Sequence, residues 1–328
     1  MRPFRYERPT DARAAVALLS GEPGGRFLGG GTNLVDLMRL GVETPGVLVD
    51  ITRAVTRDIV DGDDGGLIIG AGVTNSDLAA DPRVRRAYPM LSQALLNGAS
   101  GQLRNLATVG GNLLQRTRCV YFQDVSKPCN KRALGSGCPA RAGEHRNLAV
   151  LGHSEHCVAT HPSDMAVALS ALDARVTVQG AGGERVIGIG ELHRLPGDRP
   201  DRDTVLEPGE LITAVELPSL PVAAGLTYRK VRERRSFAFA LVSVAAALAV
   251  QDGVVSDVRL AFGGVAHRPW RASAAEATLR AGPATQAAFA AALDAELAPA
   301  EPLEHNAYKL PMLRRVAIAT LTELAGGL

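Results

Sequence analysis

The chain has 328 residues, which is enough for about two domains and for a core that needs no disulfide bonds. Hydrophobic residues make up 46% and charged residues 21%, as in ordinary globular proteins. Lys and Arg number 36 against 34 Asp and Glu, so the formal net charge is only +2. This balance argues against nucleic acid or an anionic membrane surface as the main partner.

The sequence shows no segment that predicts export or membrane insertion. Its first residues, Met-Arg-Pro-Phe-Arg-Tyr-Glu-Arg, lack the apolar stretch and the cleavage site of a signal peptide. The longest apolar run, residues 237–250, is shorter than the ~20 residues that span a bilayer. We therefore predict a buried core element there, no signal peptide on this chain and no membrane insertion.

Residues 1–53 predict a small subdomain in which strands alternate with helices. In chain order we expect a helix over residues 10–19 that begins at Thr10 or Asp11, a strand over Arg26–Leu28, a glycine segment over residues 29–33, a helix over residues 34–40 and a buried strand over Val47–Asp50.

Residues 54–220 predict a second subdomain. We expect a strand over residues 67–69, helices over 74–80 and 89–96, an amphipathic helix over 163–172, and strands over 175–179 and Leu211–Leu217. The sequence Pro218-Ser219-Leu220-Pro221 is the clearest boundary in the chain, because paired prolines interrupt regular elements.

The remaining residues predict an α+β unit with an antiparallel sheet. We expect a strand over residues 227–232, the apolar run over 237–250, a hairpin turn at Asp252-Gly253, a strand over 254–262, and helices over 272–279, Gln286–Leu297 and 313–324.

Two glycine segments could bind phosphate. The first is Gly29-Gly30-Gly31-Thr32-Asn33, and the second, Thr108-Val109-Gly110-Gly111-Asn112, has a similar composition. Glycine lets backbone N–H groups approach an anion, and the start of a following helix favours negative charge. The sequence has neither the G-x-G-x-x-G fingerprint nor a P-loop, so each segment could equally be a tight turn. Together they could hold one diphosphate from two sides.

All the cysteines of the chain cluster in one stretch, at Cys119, Cys129, Cys138 and Cys157. Four thiolates suit an iron–sulfur cluster or a structural zinc ion. The C-x2-C spacing usual for zinc is absent, but nearby histidines keep a mixed Cys/His zinc site open. Disulfides are a third interpretation, which no export signal supports. Neighbouring Arg and Lys side chains predict lowered thiol pKa values.

Two further positions have a structural and a functional interpretation. Asp164 follows Pro162 at a helix start, where it could cap the helix or accept a hydrogen bond from a nucleotide hydroxyl. Tyr228, Lys230 and Arg232 share one face of a strand. The residues by themselves favour a solvated basic face there; the alternative is a cation that stabilises a reduced flavin.

In this order, these segments resemble the FAD-binding subunit of the xanthine dehydrogenase/molybdenum hydroxylase family. The resemblance covers essentially the whole chain and is carried by residues 27–34, 108–113, 162–165 and 263–271. The cysteine segment is similar to an insertion that holds a [4Fe-4S] cluster in the FAD subunits of bacterial periplasmic aldehyde oxidoreductases.

The resemblance implies an α+β fold. A PCMH-type, vanillyl-alcohol-oxidase-like FAD-binding domain would occupy residues 1–220, with subdomains over about 1–53 and 54–220 and the iron–sulfur insertion over 113–160. A C-terminal domain like that of the CO dehydrogenase flavoprotein would occupy residues 221–328. The cluster ligands implied are Cys119, Cys129, Cys138 and Cys157. The FAD-binding residues implied are Arg26, Phe27, Leu28, Gly29, Gly30, Gly31, Thr32, Asn33, Leu34, Thr108, Val109, Gly110, Gly111, Asn112, Asp164 and Lys230.

The implied function is electron transfer, with no catalytic acid or base on this chain. The chain would be part of a heterotrimer with a molybdenum-cofactor large subunit and a [2Fe-2S] small subunit. It would pass electrons through FAD to oxygen, NAD or a carrier. The complex would be periplasmic by co-export with a signal-bearing partner, and otherwise cytoplasmic. Two alternatives are the FAD subunit of an aromatic-acyl-CoA dehydroxylating reductase and a zinc-stabilised scaffold subunit without FAD.

Overall fold

The computed structural model describes residues 1–220 and 225–326. Its first part is a parallel three-stranded sheet with two short helices. The elements are β1 (Arg5–Glu7), α1 (Ala12–Leu19), β2 (Arg26–Leu28), α2 (Leu34–Arg39) and β3 (Val47–Asp50). The strand order is β1-β3-β2, and all residues of the central strand are buried, as predicted. Asp11 caps α1 by accepting a hydrogen bond from the Ala14 N–H at 2.9 Å.

The second part is built on an antiparallel sheet with the strand order β4-β5-β8-β6-β7. Its elements are β4 (Ile59–Asp61), β5 (Leu67–Gly70), α3 (Asn75–Ala80), α4 (Pro82–Ala87), α5 (Pro89–Asn97), α6 (Gly101–Arg104), α7 (Val109–Leu113), α8 (Val120–Gln123), α9 (Asp164–Ala171), β6 (Arg175–Gly180), β7 (Gly183–Gly188), α10 (Ile189–Leu192) and β8 (Leu211–Leu217). The edge strands β4 and β7 were not predicted, because their mostly exposed side chains show no apolar alternation.

The C-terminal part packs helices on a four-stranded antiparallel sheet of order β12-β11-β10-β9. Its elements are β9 (Gly225–Val231), β10 (Val242–Gln251), β11 (Val254–Gly263), β12 (Trp270–Arg271), α11 (Ser273–Leu279), α12 (Gln286–Leu297) and α13 (Lys309–Leu324). The predicted hairpin is confirmed, with φ of 51° at Asp252 and 77° at Gly253. Two successive positive φ values define the turn type that matches strand twist.

The expected domain boundary at residues 218–221 falls between β8 and β9, and Pro221 itself lies outside the described residues. The first residues of the expected C-terminal domain, 221–224, and its last two, 327–328, lie outside them as well.

The largest hydrophobic core crosses this boundary. It joins α1, the second sheet, α5 and α9 to residues of the C-terminal sheet that include Tyr228 and Ala245. A second core lies between the C-terminal sheet and α11 to α13. A third, smaller core surrounds Phe122 and contains Cys119 and Cys157. The parts therefore share apolar surface, and this surface positions the elements around one cleft.

Three expectations about local structure are wrong. The helix predicted as amphipathic, α9, is buried along its whole length, because α5 covers one side and β10 and β11 the other. The apolar run 237–250 is not one core element: β10 begins only at Val242, and Phe237 and Phe239 are 58% and 49% exposed. The second glycine segment is not a tight turn, because it forms the start of α7 with Thr108 as its N-cap.

Candidate functional site

The two glycine segments lie against each other. A Cβ added at Gly29 would stand 2.9 Å from Thr108 Oγ1, and one at Gly30 would overlap the carbonyl oxygen of Leu106. Gly31 has a φ of 72°, which L residues with a side chain rarely adopt. Glycine at positions 30 and 31 is therefore required by a close backbone approach and by a left-handed turn.

The first glycine segment has several N–H groups that find no acceptor among the described residues. Among the described residues, no backbone carbonyl accepts a hydrogen bond from the N–H groups of residues 30–33. Asn33 uses its Oδ1 to accept from the Arg116 N–H at 2.9 Å, while its Nδ2 is buried without a partner. Burying a hydrogen-bond donor without an acceptor costs free energy. This arrangement is therefore typical of a binding site for a ligand rich in hydrogen-bond acceptors.

The second segment presents its asparagine in the same way. Asn112 Oδ1 accepts from Ser163 Oγ at 2.6 Å and from Gln115 Nε2 at 2.9 Å. Both lone pairs of the amide oxygen are thus used within the protein, which leaves the amide N–H groups for a ligand. Both segments therefore offer N–H donors, the groups that oxygen-rich anions accept.

A cleft of about 1000 Å³ opens between the two segments and the C-terminal sheet. This is the upper end of the size range of cofactor pockets, ~300–1,000 Å³. Of the residues predicted to bind FAD, the cleft is lined by Gly30, Gly31, Thr32, Asn33, Gly111, Asn112, Asp164 and Lys230. The other predicted residues do not line it in this structure: Arg26, Phe27 and Leu28 form β2 behind the first segment, and Gly29, Leu34, Thr108, Val109 and Gly110 support the two segments.

Asp164 and Lys230 form a buried ion pair on the cleft wall. Lys230 Nζ stands 2.7 Å from Asp164 Oδ2, and the two side chains are 1% and 8% exposed. Tyr228 donates its hydroxyl to Asp164 Oδ1 at 2.5 Å, and burial raises the pKa of Tyr228 well above its usual value. The favoured interpretation of this strand face as a solvated basic surface is therefore wrong. The N-cap of α9 is Ser163, not Asp164. The Asp164 carboxylate instead contacts two side chains of β9, Tyr228 and Lys230.

Sequence reasoning missed a further part of the cleft wall. We call residues 233–241 the cleft lip; its lining residues are Glu233, Arg234, Phe237, Ala238, Phe239, Ala240 and Leu241. Phe237 has a φ of 51°, which is strained for an aromatic residue. Arg118, from the cysteine segment, lies 5.0 Å from the centre of the Phe239 ring and also lines the cleft. The apolar run concealed the lip, because its residues look like a continuation of β10.

The four cysteines line one small pocket together with Tyr121, Phe122 and Lys131. All four are free, and Cys119 and Cys157 are buried. Nearby backbone N–H groups act to lower the thiol pKa values of Cys119, Cys138 and Cys157. Cys119 lines the cleft as well, so one thiol separates the two cavities.

The expectation of lowered thiol pKa values is wrong for Cys119, Cys138 and Cys157. Burial raises the pKa of Cys157 to about 12 and also raises the pKa values of Cys119 and Cys138. The nearby Lys131 ammonium acts in the opposite direction on Cys157, but loss of hydration outweighs it. Within the described residues, no group of three or more His, Cys, Asp or Glu side chains is placed to hold a single metal ion. The [4Fe-4S] cluster therefore stays a prediction.

A buried charge network ties the cysteine segment to the rest of the molecule. Lys131 Nζ donates to Pro200 O at 2.9 Å, to Asp203 Oδ1 at 2.5 Å and to His267 Nε2 at 2.6 Å. Arg116 pairs with Asp203 at 2.8 Å and with Glu43 at 2.6 Å. These two cations hold the pKa of Asp203 well below its usual range. The segment is thus fixed to both subdomains and to the C-terminal part.

Comparison with known families agrees with this architecture. The family model described as the FAD-binding domain in molybdopterin dehydrogenase matches residues 2–220, and that of the CO dehydrogenase flavoprotein C-terminal domain matches residues 227–324. The chain belongs to the family of FAD-binding medium subunits of the xanthine dehydrogenase/molybdenum hydroxylases, and is an oxidoreductase subunit.

Individual relatives match most or nearly all of the chain. The aldehyde oxidoreductase FAD-binding subunit PaoB of Escherichia coli (strain K12) is 51% identical over 98% of both chains. The glyceraldehyde dehydrogenase medium chain of Sulfolobus acidocaldarius is 28% identical over 83% of this chain and 79% of that one. Among solved structures, the carbon monoxide dehydrogenase of Hydrogenophaga pseudoflava has a TM-score of 0.76 at 26% identity, over 97% of this chain and 96% of that one.

The family implies FAD, and the residues of the cleft fit it. The two segments offer N–H donors toward a diphosphate, and the close approach at Gly30 leaves no space for a side chain between them. The cleft is large enough for a dinucleotide and runs from these donors to the Asp164–Lys230 pair.

The predicted PCMH-type and CO-dehydrogenase-flavoprotein-like fold is confirmed. In the described part of the chain, every helix is too short or too polar to cross a bilayer.

Proposed function

We propose that this chain is the FAD- and [4Fe-4S]-binding electron-transfer subunit of a heterotrimeric molybdenum-dependent aldehyde oxidoreductase. The observation that carries the proposal is the 51% identity to an aldehyde oxidoreductase FAD-binding subunit, which extends over 98% of both chains. The partners proposed are a molybdenum-cofactor large subunit and a [2Fe-2S] small subunit. The final acceptor is oxygen, NAD or a carrier, and a signal on a partner subunit takes the complex to the periplasm.

The proposed FAD site comprises residues 26–34 and 108–112 with Asp164 and Lys230. Bound FAD links one-electron donors to a two-electron acceptor, which is the chemistry that such a subunit supplies. The chain's own residues would position it: the open N–H groups of residues 30–33 and the amides of Asn33 and Asn112 would donate hydrogen bonds to the diphosphate. We propose domain limits at 1–220 and 221–328, so that the FAD site draws on both domains.

The proposed cluster ligands are Cys119, Cys129, Cys138 and Cys157. Support comes from the chemistry of the donor set, since four free thiols line one pocket. Hydrogen bonds to sulfur are one of the ways in which a protein tunes a cluster's potential. Metal binding requires the thiols to lose their protons. Because the thiol pKa values are raised, this deprotonation costs free energy, which binding of the metal would have to supply.

The first test is the composition of the anaerobically purified full chain. We expect about one FAD, and about four irons and four sulfides per chain. About one zinc without iron would refute the cluster and favour the scaffold alternative. Absence of flavin from a folded chain supplied with FAD would refute the FAD site.

The second test uses paired variants of the cysteine segment. Cys138→Ser removes a half-buried thiol, whereas Leu134→Ala changes an exposed side chain of the same segment that is 47% exposed. We expect the first variant to lose most of its iron and sulfide and the second to keep both. Equal iron content in the two variants would contradict the role of Cys138.

The third test addresses the substrate. The assembled complex is assayed with aldehydes and, separately, with aromatic acyl-CoA thioesters. We expect aldehyde oxidation with artificial acceptors and no thioester reduction. Turnover of the thioester would refute the aldehyde assignment and support the dehydroxylating-reductase alternative.

A further inference from the structure

Lys309 is a buried lysine that no carboxylate neutralises. It is the first residue of α13 and is completely buried. Its Nζ donates hydrogen bonds to the carbonyl oxygens of Asn147 at 2.8 Å, Leu148 at 3.0 Å and Gly264 at 2.7 Å. Among the described residues, no Asp or Glu forms an ion pair with it. The proposed function does not use this lysine.

The hydrogen bonds of Lys309 fit its protonated form. An ammonium group has three N–H donors, and each one finds a carbonyl oxygen, whereas a neutral amine would turn its lone pair toward one of these oxygens. Burial opposes the charge and lowers the pKa of Lys309 to about 7. Near neutral pH, Nζ is therefore protonated in only part of the molecules.

The titratable groups packed around the buried lysine supply no free negative charge. On the adjoining segments these groups are Glu144, His145, Arg146, His305 and Tyr308. Arg146 adds to the lowering of the lysine pKa and is itself paired with Glu233 at 2.5 Å. The positive charge on Nζ is therefore compensated by carbonyl dipoles and by no ion.

The three acceptor residues are part of the cleft wall. Asn147, Leu148 and Gly264 all line the cleft. Leu148 packs in the same hydrophobic core as Leu37 of α2, the helix that follows the first glycine segment. Gly264 comes directly after β11 of the C-terminal sheet. Nζ therefore lies directly behind a part of the wall that connects the α2 side of the cleft to the C-terminal sheet.

We propose that Lys309 is a buried counter-charge for bound FAD, and that FAD binding draws a proton from solvent onto Nζ. The diphosphate of FAD is negatively charged, and a charge in a poorly hydrated interior acts more strongly than one in water. Lys230 differs, because Asp164 already neutralises its charge. A nearby negative ligand favours the ammonium over the amine, so the pKa of Lys309 rises on binding. The inference rests on FAD occupying the cleft.

Proton uptake can be measured in the wild-type chain. Isothermal titration calorimetry with FAD, in buffers of different ionisation enthalpy, counts the protons that binding takes up. We expect a fraction of a proton per FAD at pH 8, where Lys309 of the free chain is mostly neutral, and almost none at pH 6, where it is already protonated. By the same linkage, Kd for FAD should rise roughly threefold to tenfold between pH 6 and pH 9. Absence of proton uptake at pH 8 would overturn the proposal.

Paired variants assign the effect to Lys309. Lys309→Met keeps the length of the side chain without its charge. We expect its Kd at pH 6 to be roughly threefold to tenfold above that of the wild type and to stay constant up to pH 9. Tyr308→Phe is the matched control, because it removes a hydrogen bond of 3.2 Å to Arg146 O from the same turn and changes no charge near neutral pH. This control should keep the wild-type pH dependence.

The outcomes separate the inference from the proposed function. A wild-type pH dependence in Lys309→Met, or its loss in Tyr308→Phe, would overturn the role of the Lys309 charge. If Lys309→Met does not fold, proton uptake by the wild-type chain at pH 8 decides. A wild-type chain that bound no FAD at any pH would overturn the proposed function, and this inference with it.

Discussion

Gly30 is the residue that most directly shapes the proposed phosphate site. Its place in a row of three glycines says only that flexibility is needed there, whereas the structure shows a carbonyl group of the neighbouring segment where a Cβ would stand. Gly31 differs, because its requirement is a positive φ rather than space. Neighbouring glycines thus serve two physical purposes that the sequence does not distinguish.

We expect Gly30→Ala to weaken FAD binding by more than tenfold. The added methyl group forces the two segments apart, and overpacking of this kind typically costs ~1–3 kcal/mol. FAD titration of the full chain measures the effect. Gly21→Ala is the matched control, since nothing lies within 4 Å of its Cβ position. Equal FAD affinity in the two variants would show that the segments do not meet at the cofactor.

His267 makes the stability of the chain sensitive to acid. Its Nδ1 donates to Arg194 O at 2.9 Å, and its Nε2 accepts from Lys131, so the ring is neutral in the fold. Burial and the Lys131 ammonium lower the pKa of His267 from its usual 6.5 to about 4. The unfolded chain therefore takes up this proton between pH 6.5 and pH 4 while the folded chain does not, and the free energy of unfolding falls as the pH decreases through this range.

The size of this contribution is on the order of 3 kcal/mol at full effect. Urea unfolding of the full chain at several pH values between 4 and 7 measures it. In His267→Gln, whose amide oxygen can still accept from Lys131, we expect a shallower fall. His156→Gln, at an exposed position, should follow the wild type. An unchanged pH slope in His267→Gln would mean that other groups cause the acid sensitivity.

Among the elements, α9 and β9 are joined by a buried ion pair in addition to apolar contacts. The Asp164–Lys230 pair links the first turn of α9 to the end of β9, and Lys230 also donates to Asn97 O at the end of α5 at 3.1 Å. Removing one member of such a pair leaves an uncompensated buried charge. The pair therefore couples the FAD-binding part of the chain to its C-terminal sheet.

We expect Lys230→Met to lower the free energy of unfolding by ~3–5 kcal/mol. The double variant Lys230→Met with Asp164→Asn should recover part of this loss, because it removes the orphaned charge. Arg53→Met, an exposed cation, serves as the control. Urea unfolding of the four proteins checks the prediction, and a loss in Lys230→Met no larger than that in Arg53→Met would disprove it.

At the scale of the whole molecule, the two subdomains and the C-terminal part share one hydrophobic core. The largest core contains residues from both subdomains and from the C-terminal sheet, and the network of Arg116, Lys131 and Asp203 reaches all of them. We therefore expect the full chain to unfold in one cooperative transition.

Trp270 reports on the C-terminal part, because it is the only tryptophan of the sequence and lies in β12. Its fluorescence and the far-UV circular dichroism of the whole chain should give the same urea midpoint. As a local control, Glu296→Gln removes the carboxylate that accepts from Trp270 Nε1 and should shift both midpoints together. Separate midpoints in the wild type would show that the C-terminal part unfolds independently.

Short sequence patterns were sufficient to predict those elements whose structure is determined by residues close together in the sequence. The N-cap of α1, the buried strand β3 and the Asp252-Gly253 hairpin are all as predicted, because caps, periodicity and turn residues act over a few positions. The motifs of the glycine segments, with those at residues 162–165 and 263–271, also indicated the family, which the comparisons confirm.

Tertiary structure decided what those residues face. Whether Lys230 is solvated or paired depends on α9, which lies more than sixty residues away in sequence. The exposure of the cleft lip and the raised thiol pKa values depend equally on neighbours brought together by folding. Burial and electrostatic environment are sums over all atoms nearby in space, so a one-dimensional pattern does not contain them.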